Sequence, residues 1–408
     1  MPRTVLAFNG DLESRLALHW MVHERGYDVR TLSVNLGQEV YMEELAELAL
    51  ELGASAAQVL DRRAAFLHDF ALPVLRANAV YQSGCFLGSA LGRYVIAQEL
   101  VHMAHEEGCT SVAHSAASKG NDQVRMEVAI AAQDPGLEIL APVRDWNLRS
   151  LEDKLNYARR RRLPIEEPHG RAVTVDRNLW GVSLYLDDLV DSWDAPPSDI
   201  FVLTRDPEQA PDTPAILTIG FENGVPCSLN GNRLELLPLV RELNQIGGEH
   251  AIGRSDVVED RLFGIKSREF YEVPAPTILL AAHRDLESLV QSRELIALKE
   301  SLSRRYAELV YMGLWFHDLR QSLDGFFAQT QRYVTGEVRL KLYKGSCTVL
   351  GRRSPYSVYD SRLASQSNLE WFDSQWAQGF TSLWTLRSRL FARRQVKERG
   401  SPGGWAAP

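Results

Sequence analysis

The stretch VLAFNGDLESRLALHW, residues 5–20, decides how the chain begins to fold. Val5 to Phe8 is an unbroken apolar run, the pattern of a strand covered on both faces. From Leu12 the apolar side chains recur at helical spacing, with Leu12, Leu16 and Trp20 on one stripe. Between strand and helix lies a tight turn, Asn9-Gly10-Asp11. Strand, turn and helix start together make a place where free backbone N–H groups and the helix dipole favour an anion. Yet the turn and the first helical residues carry two acids, Asp11 and Glu13, and a single glycine. Two readings stand side by side. The turn is a phosphate cradle, or it is a helix start capped by Asn9 or Asp11.

Working outward, the same alternation repeats. YDVRTLSVNLG (27–37) reads as a strand and MEELAELALELG (42–53) as a helix ending at Gly53. SAAQVLD (55–61) is a third strand, about Leu87 to His105 a long helix, and TSVAHS (110–115) a fourth strand. NDQVRMEVAIAAQ (121–133) reads as a helix, GLEILAPVR (136–144) as a strand and SLEDKLNYARRRR (150–162) as a helix. Short strands separated by helices specify an α/β domain, a parallel sheet with helices on both faces. Ligands bind such sheets at the carboxyl edge, which is where the opening turn falls.

After RRLPIEEP the character changes, and a boundary near Pro164 follows. Turn-rich segments such as DPEQAPDTP (206–214) mix with short strands such as AILTIGF (215–221). Residues 236–253 and 277–311 read as helices. TGEVRLKLYKGSCTVLGRRS (335–354) reads as a hairpin turning at Lys344-Gly345. A helix near residues 372–395 closes the fold, and the residues after it read as a mobile tail. The expected division is therefore a parallel-sheet α/β domain over 1–164, a mixed α+β domain over 165–395 and a tail over 396–408.

Composition excludes several functions. A net charge of −8 argues against a general nucleic-acid or anionic-membrane binder. The four cysteines, Cys85, Cys109, Cys227 and Cys347, lack metal-ligand spacing, and the histidines show no metal-binding pattern, so no metal site is expected. No signal segment and no bilayer-length apolar run are present, so a cytoplasmic location is the expectation.

Three groups of motifs then point to one family. The first is HSAASKGNDQVRMEVAI (114–130) with LEILAPVRDWNL (137–148), and the second is TVDRNLWGVS (174–183). The third is IGRSDVVEDRLFGIKSREFYEVPA (252–275) with AELVYMGLWF (307–316), VTGEVRLKLYKG (334–345) and GRRSPYSVYD (351–360). Together they resemble argininosuccinate synthase, from about Val5 to Trp384. The resemblance implies an ATP-pyrophosphatase-type nucleotide-binding domain, a synthetase and multimerisation domain, and a homotetramer whose C-terminal helices reach a neighbour. It implies small-molecule substrates, citrulline and aspartate, joined with MgATP and with release of AMP and pyrophosphate. The Mg2+ has no dedicated protein site in this pattern.

Carried over residue by residue, the resemblance implies ATP contacts at Ala7, Gly10, Ser14, Val34 and Ser115. It implies aspartate contacts at Asn121 and Asp122, and citrulline contacts at Asn121, Arg125, Ser183, Glu259 and Tyr271. No catalytic residue is assigned. The expectation is that Asn121, Asp122, Arg125, Glu259 and Tyr271 converge on one cleft. Departures cluster around these positions. The family loop reads S-G-G-x-D-T-S, and Asp11 replaces its second glycine, Glu13 its aspartate and Arg15 its last serine. Asp11 puts a side chain and a charge where bare backbone approaches an anion, while Arg15 is placed to offset one charge. Ser115 and Ser118 stand at glycine positions. Ala117 replaces an aspartate-binding threonine, Cys85 a tyrosine and Ala90 a serine. Tyr185, Asp187 and Val190 depart from the family beside Ser183. Weakened pyrophosphate binding is the expectation. Three functions remain open: the family ligase, a ligase of the same chemistry with another substrate, and a catalytically impaired paralogue that binds or assembles.

Overall fold

The computed structural model describes every residue except 39–40, 83, 117–119, 166–172, 187–188, 190, 368–369 and 399–408. It contains two compact units, 1–356 and 357–408.

The first unit begins with β1 (Arg3–Ala7), α1 (Leu12–His23), β2 (Asp28–Asn35), α2 (Met42–Glu51) and β3 (Ala56–Asp61). It continues with α3 (Gly88–Glu106), β4 (Ser111–Ala113), α4 (Asn121–Gln133), β5 (Glu138–Leu140) and α5 (Leu151–Arg161). The five strands form a parallel sheet in the order β3-β2-β1-β4-β5. Strand β1 shows why the apolar run was needed. Val5 packs into one buried cluster and Leu6 into another, because successive side chains leave opposite faces. The chain reverses after β1 through Gly10 at φ +77°, where a Cβ would lie 2.4 Å from Leu45 Cδ2. The positive φ favours glycine there, and a side chain would also displace the Leu45 methyl.

Two further sheets, both antiparallel, complete this unit. Strands β6 (Val173–Asn178), β7 (Gly181–Leu186), β11 (Arg254–Asp260) and β12 (Lys266–Glu272) run in the order β11-β12-β7-β6. Strands β8 (Ala215–Glu222), β9 (Val225–Leu229), β10 (Asn232–Arg233), β13 (Gly336–Tyr343) and β14 (Ser346–Arg353) form the other, in the order β10-β9-β8-β13-β14. In β13, Val338, Leu340 and Leu342 alternate into the core. Its hairpin to β14 turns at Lys344 (φ +45°) and Gly345 (φ +84°), the paired positive φ of a tight type I′ turn. Helices α6 (Leu236–Glu249) and α7 (Pro274–Val290) pack with these strands, while α8 (Arg293–Tyr311) and α9 (Asp318–Thr330) pack against each other.

Two local expectations change. Residues 277–311 read as one helix but form two, because Ser292 accepts the Leu295 N–H at 3.2 Å and starts α8 afresh. The strand in GLEILAPVR stops at Leu140, since Pro142 cannot donate to a ladder and instead opens a short helix, Pro142–Asp145. Residues 63–76 are helical, with a π-helical stretch at Phe66–Ala71 just before Pro73.

The second unit holds a short helix, Ser361–Ala364, and α10 (Ser374–Glu398). Trp376, Phe380, Leu383, Trp384 and Leu390 of α10 are all exposed. The last ten residues of the expected tail lie outside the described residues.

Candidate active site

At the carboxyl edge of the parallel sheet, β2, β1 and β4 are neighbours. Ala7 ends β1, Val34 lies near the end of β2, and Ser115 follows β4 by two residues. Gly10 and Ser14 belong to the turn and first helical turn between them. The expected ATP contacts thus share one sheet edge.

The turn itself is internally satisfied. Asp11 is the N-cap of α1 and its Oδ1 accepts the Ser14 N–H at 2.7 Å. Its other carboxylate oxygen accepts from Asn9 Nδ2 at 2.8 Å. Ser14 is fully buried and its hydroxyl donates to the Asp11 carbonyl at 3.1 Å. The compensation expected from Arg15 takes another form. Arg15 donates to two carbonyl oxygens, those of Gly10 and Pro164, and Lys154 pairs with Glu13 at 2.5 Å. Arg15 was misread because Pro164 lies 149 residues away in sequence and its carbonyl is invisible as a partner there.

On the β4 side, His114 Nδ1 accepts the Ala116 N–H at 3.2 Å, so its Nε2 carries the proton and donates to Glu127. That hydrogen bond, with Arg144 2.6 Å away, holds the Glu127 carboxyl below its ordinary range. Ala117, Ser118 and Lys119 lie outside the described residues, as do Asp187 and Val190.

The remaining candidates meet through hydrogen bonds. Gly120 caps α4, so Asn121, Asp122 and Arg125 occupy its first turns. Tyr271 in β12 stands opposite Ser183 in β7, and its hydroxyl donates to Glu259 Oε2 at 2.7 Å. A residue that the motifs left unassigned, Tyr311, closes the circle. Its hydroxyl donates to Glu259 Oε1 at 2.5 Å and accepts from Asn121 Nδ2 at 2.9 Å. Its carbonyl accepts from Arg125 Nε at 3.0 Å. Tyr311 sits within the quoted AELVYMGLWF motif, but nothing local distinguishes it from a core tyrosine.

Two arginines frame Asp122. Arg125 approaches one carboxylate oxygen at 3.1 Å and Arg93 the other at 2.9 Å. Arg93 also reaches Asp176 at 2.8 Å, and neither Arg93 nor Asp176 was foreseen. Burial by itself raises the Asp122 carboxyl, but the two guanidiniums outweigh it and hold the group below its ordinary range. Arg125 is buried, and Asp122 raises its guanidinium against that burial.

Glu259 is the decisive group. It is 3% exposed and receives one phenol hydroxyl on each oxygen. Burial and then the neighbouring carboxylate push both phenols upward, Tyr311 directly and Tyr271 together with Cys85, so both remain donors. Among the described residues no arginine, lysine or histidine pairs with Glu259. A buried carboxylate held only by neutral donors is an incomplete arrangement, and an ammonium group completes it. Nearby, Cys85 is buried, and burial pushes its thiol up to about 12, which makes it an inert small side chain. Ala90 is likewise buried, and Tyr185 stacks under Arg261 at 4.8 Å.

Comparison with known proteins shows the family. The profile of the Arginosuccinate synthase N-terminal HUP domain matches residues 3–164, and that of the Arginosuccinate synthase C-terminal domain matches 173–391. The chain belongs to the argininosuccinate synthase family. It is 44% identical to the argininosuccinate synthase of Pelotomaculum thermopropionicum over 397 residues, 97% of this chain and 99% of that one. It is 45% identical to that of Rubrobacter xylanophilus over 390 residues, 96% of this chain and 95% of the relative. It is 43% identical to that of Geobacillus thermodenitrificans over 404 residues, 98% and 99%. Both domain profiles of the family are matched, over residues 3–164 and 173–391, and the departures at Asp11 and Cys85 are changes of single residues within the matched span.

Proposed function

We propose that this chain is an ATP-dependent carbon–nitrogen ligase that joins citrulline to aspartate, with AMP and pyrophosphate as products. The ureido oxygen of citrulline attacks the α-phosphorus of MgATP and pyrophosphate leaves. The aspartate amine then attacks the activated ureido carbon and AMP leaves. The observation that carries this reading is the buried Glu259 carboxylate, bound by two phenols and, among the described residues, by no cation, in one network with Arg125. In this reading Glu259 and Tyr271 hold the α-ammonium of citrulline, with Ser183 beside them and Asn121 and Arg125 at the other side. Asn121 and Asp122 face aspartate. Residues 1–164 supply the nucleotide edge and Asn121, Asp122 and Arg125, while 165–395 supply Ser183, Glu259 and Tyr271 and the contacts of a cytoplasmic homotetramer.

Nucleotide capture is the step this chain makes hardest. Ala7, Gly10, Ser14, Val34 and Ser115 present the edge to ATP, and the N-terminus of α1 faces the pyrophosphate end. There the Asp11 carboxylate already accepts the Ser14 N–H that a phosphate oxygen needs. Asp11 must turn away for MgATP to bind in the family manner, and turnover is expected to be low for that reason.

The test is a product assay on the full-length protein. AMP and pyrophosphate should form in equal amounts only with citrulline, aspartate and MgATP together. AMP formation that does not depend on citrulline, or no binding of MgATP at all, sinks the proposal.

A further inference from the structure

Tyr311 makes more attachments to the amino-acid site than any residue assigned to it. As the last residue of α8, it has a carbonyl with no partner inside the helix, and Arg125 Nε takes it. Its ring lies 4.7 Å from the same guanidinium and stacks on Tyr81 at 3.7 Å, so the ring cannot turn freely. Its hydroxyl has one proton, which goes to Glu259 Oε1, and one accepting position, which takes Asn121 Nδ2. The oxygen of the Asn121 amide is meanwhile fixed by the Leu262 N–H at 3.0 Å, so this amide has a single orientation. Tyr271 holds the second oxygen of Glu259, and the two phenols together set the plane of its carboxylate.

We infer that Tyr311 is the positioning residue of the citrulline site, fixing Glu259, Asn121 and Arg125 relative to one another without touching the substrate. This rests on the ligase reading above. Three groups from β11 and α4 must meet two ends of one small zwitterion, and a single rigid ring at a helix end joins all three. Packing alone does not require the hydroxyl, because a phenylalanine would fill the same space and keep both the stacking and the carbonyl. The hydroxyl therefore serves the orientation of the polar groups.

Tyr311→Phe isolates that contribution. Tyr306, five residues earlier in α8, supplies the comparison: it is fully buried and its hydroxyl donates to Asp324 at 2.6 Å, outside the site. Citrulline and MgATP affinities are measured by calorimetry, steady-state KM and kcat for each substrate by product assay, and Tm for each variant. Loss of a hydrogen bond to a charged group should raise the citrulline Kd and KM of Tyr311→Phe about 10- to 100-fold. MgATP affinity should stay at the wild-type value, and Tyr306→Phe should lower Tm without changing citrulline affinity. An unchanged citrulline affinity in Tyr311→Phe overturns the positioning role while wild-type turnover leaves the ligase reading standing. So does a general loss across all substrates that matches Tyr306→Phe. If wild-type protein shows no citrulline dependence, the ligase reading falls, and the role of Tyr311 toward citrulline falls with it.

Discussion

Replacing Asp11 tests the opening turn most directly. The carboxylate caps α1 through Ser14 N and is steadied by Asn9 Nδ2. It is exposed to solvent, so its repulsion of a bound phosphate is screened toward the aqueous limit. For two unit charges about 4 Å apart that limit is about 1 kcal/mol, against about 4 kcal/mol at an effective dielectric of about 20. An intermediate value of about 1–2 kcal/mol corresponds to about a 5- to 30-fold gain in MgATP affinity when the charge is removed. Two variants separate charge from capping. Asp11→Asn keeps a good cap and removes the charge, so affinity should rise with Tm nearly unchanged. Asp11→Gly also clears the side chain, so affinity should rise at least as much, while the weaker cap costs a few tenths of a kcal/mol. Calorimetric titration with MgATP and a thermal melt measure both quantities. Unchanged affinity in both variants, with Tm lower only in Asp11→Gly, would show that Asp11 caps a helix and opposes no phosphate.

Other changes have equally definite outcomes. Glu259→Gln should raise the citrulline KM by at least about tenfold, because a charge-assisted bond to the ammonium is lost; an unchanged KM places the ammonium elsewhere. The Glu127 carboxyl is depressed in the folded state by His114 and then Arg144, so its contribution to stability is present above the ordinary glutamate range and is lost as pH falls through its lowered folded value. Glu127→Gln should accordingly destabilise the protein at pH 7, and the difference from wild type should shrink in acid melts below about pH 4; a difference that persists in acid contradicts the ion-pair origin. The exposed aromatic face of α10 is expected to be covered in a tetramer, so light scattering should give four chains for the full protein and fewer after truncation at Tyr356. A full-length monomer at micromolar concentration counts against that assembly.

Much of the fold was legible because it is local. Apolar runs and helical spacing mark the strands and helices of the parallel sheet, and Ser150 with Asp153 forms the capping box that starts α5. The places where the pattern misled share a cause. At 277–311 a continuous helical periodicity hid the break, because Ser292 ends one helix by starting another and leaves the apolar spacing almost intact. At Leu140–Pro142 a short strand and a short helix share one apolar run, which periodicity cannot divide. Arg15 reads in sequence as a cation that offsets one charge of the turn, and its hydrogen-bond partners are the carbonyls of Gly10 and Pro164.

Sequence alone determined which side chains stand at each position: an acid at the helix start, a glutamate and a tyrosine 12 residues apart, and an arginine on the first turns of α4. It also determined that Gly10 permits the reversal after β1, since backbone conformation there is a property of the residue itself. Tertiary structure decided which of these groups meet. Glu259 and Tyr271 are 12 residues apart on paired strands, but Asn121 and Tyr311 are 190 apart and meet only because α4 and the end of α8 pack together. A hydrogen bond acts over about 3 Å whatever the separation along the chain. The composition of the site can therefore be read in one dimension, while the pairing of two phenols on Glu259 and the central place of Tyr311 exist only in three.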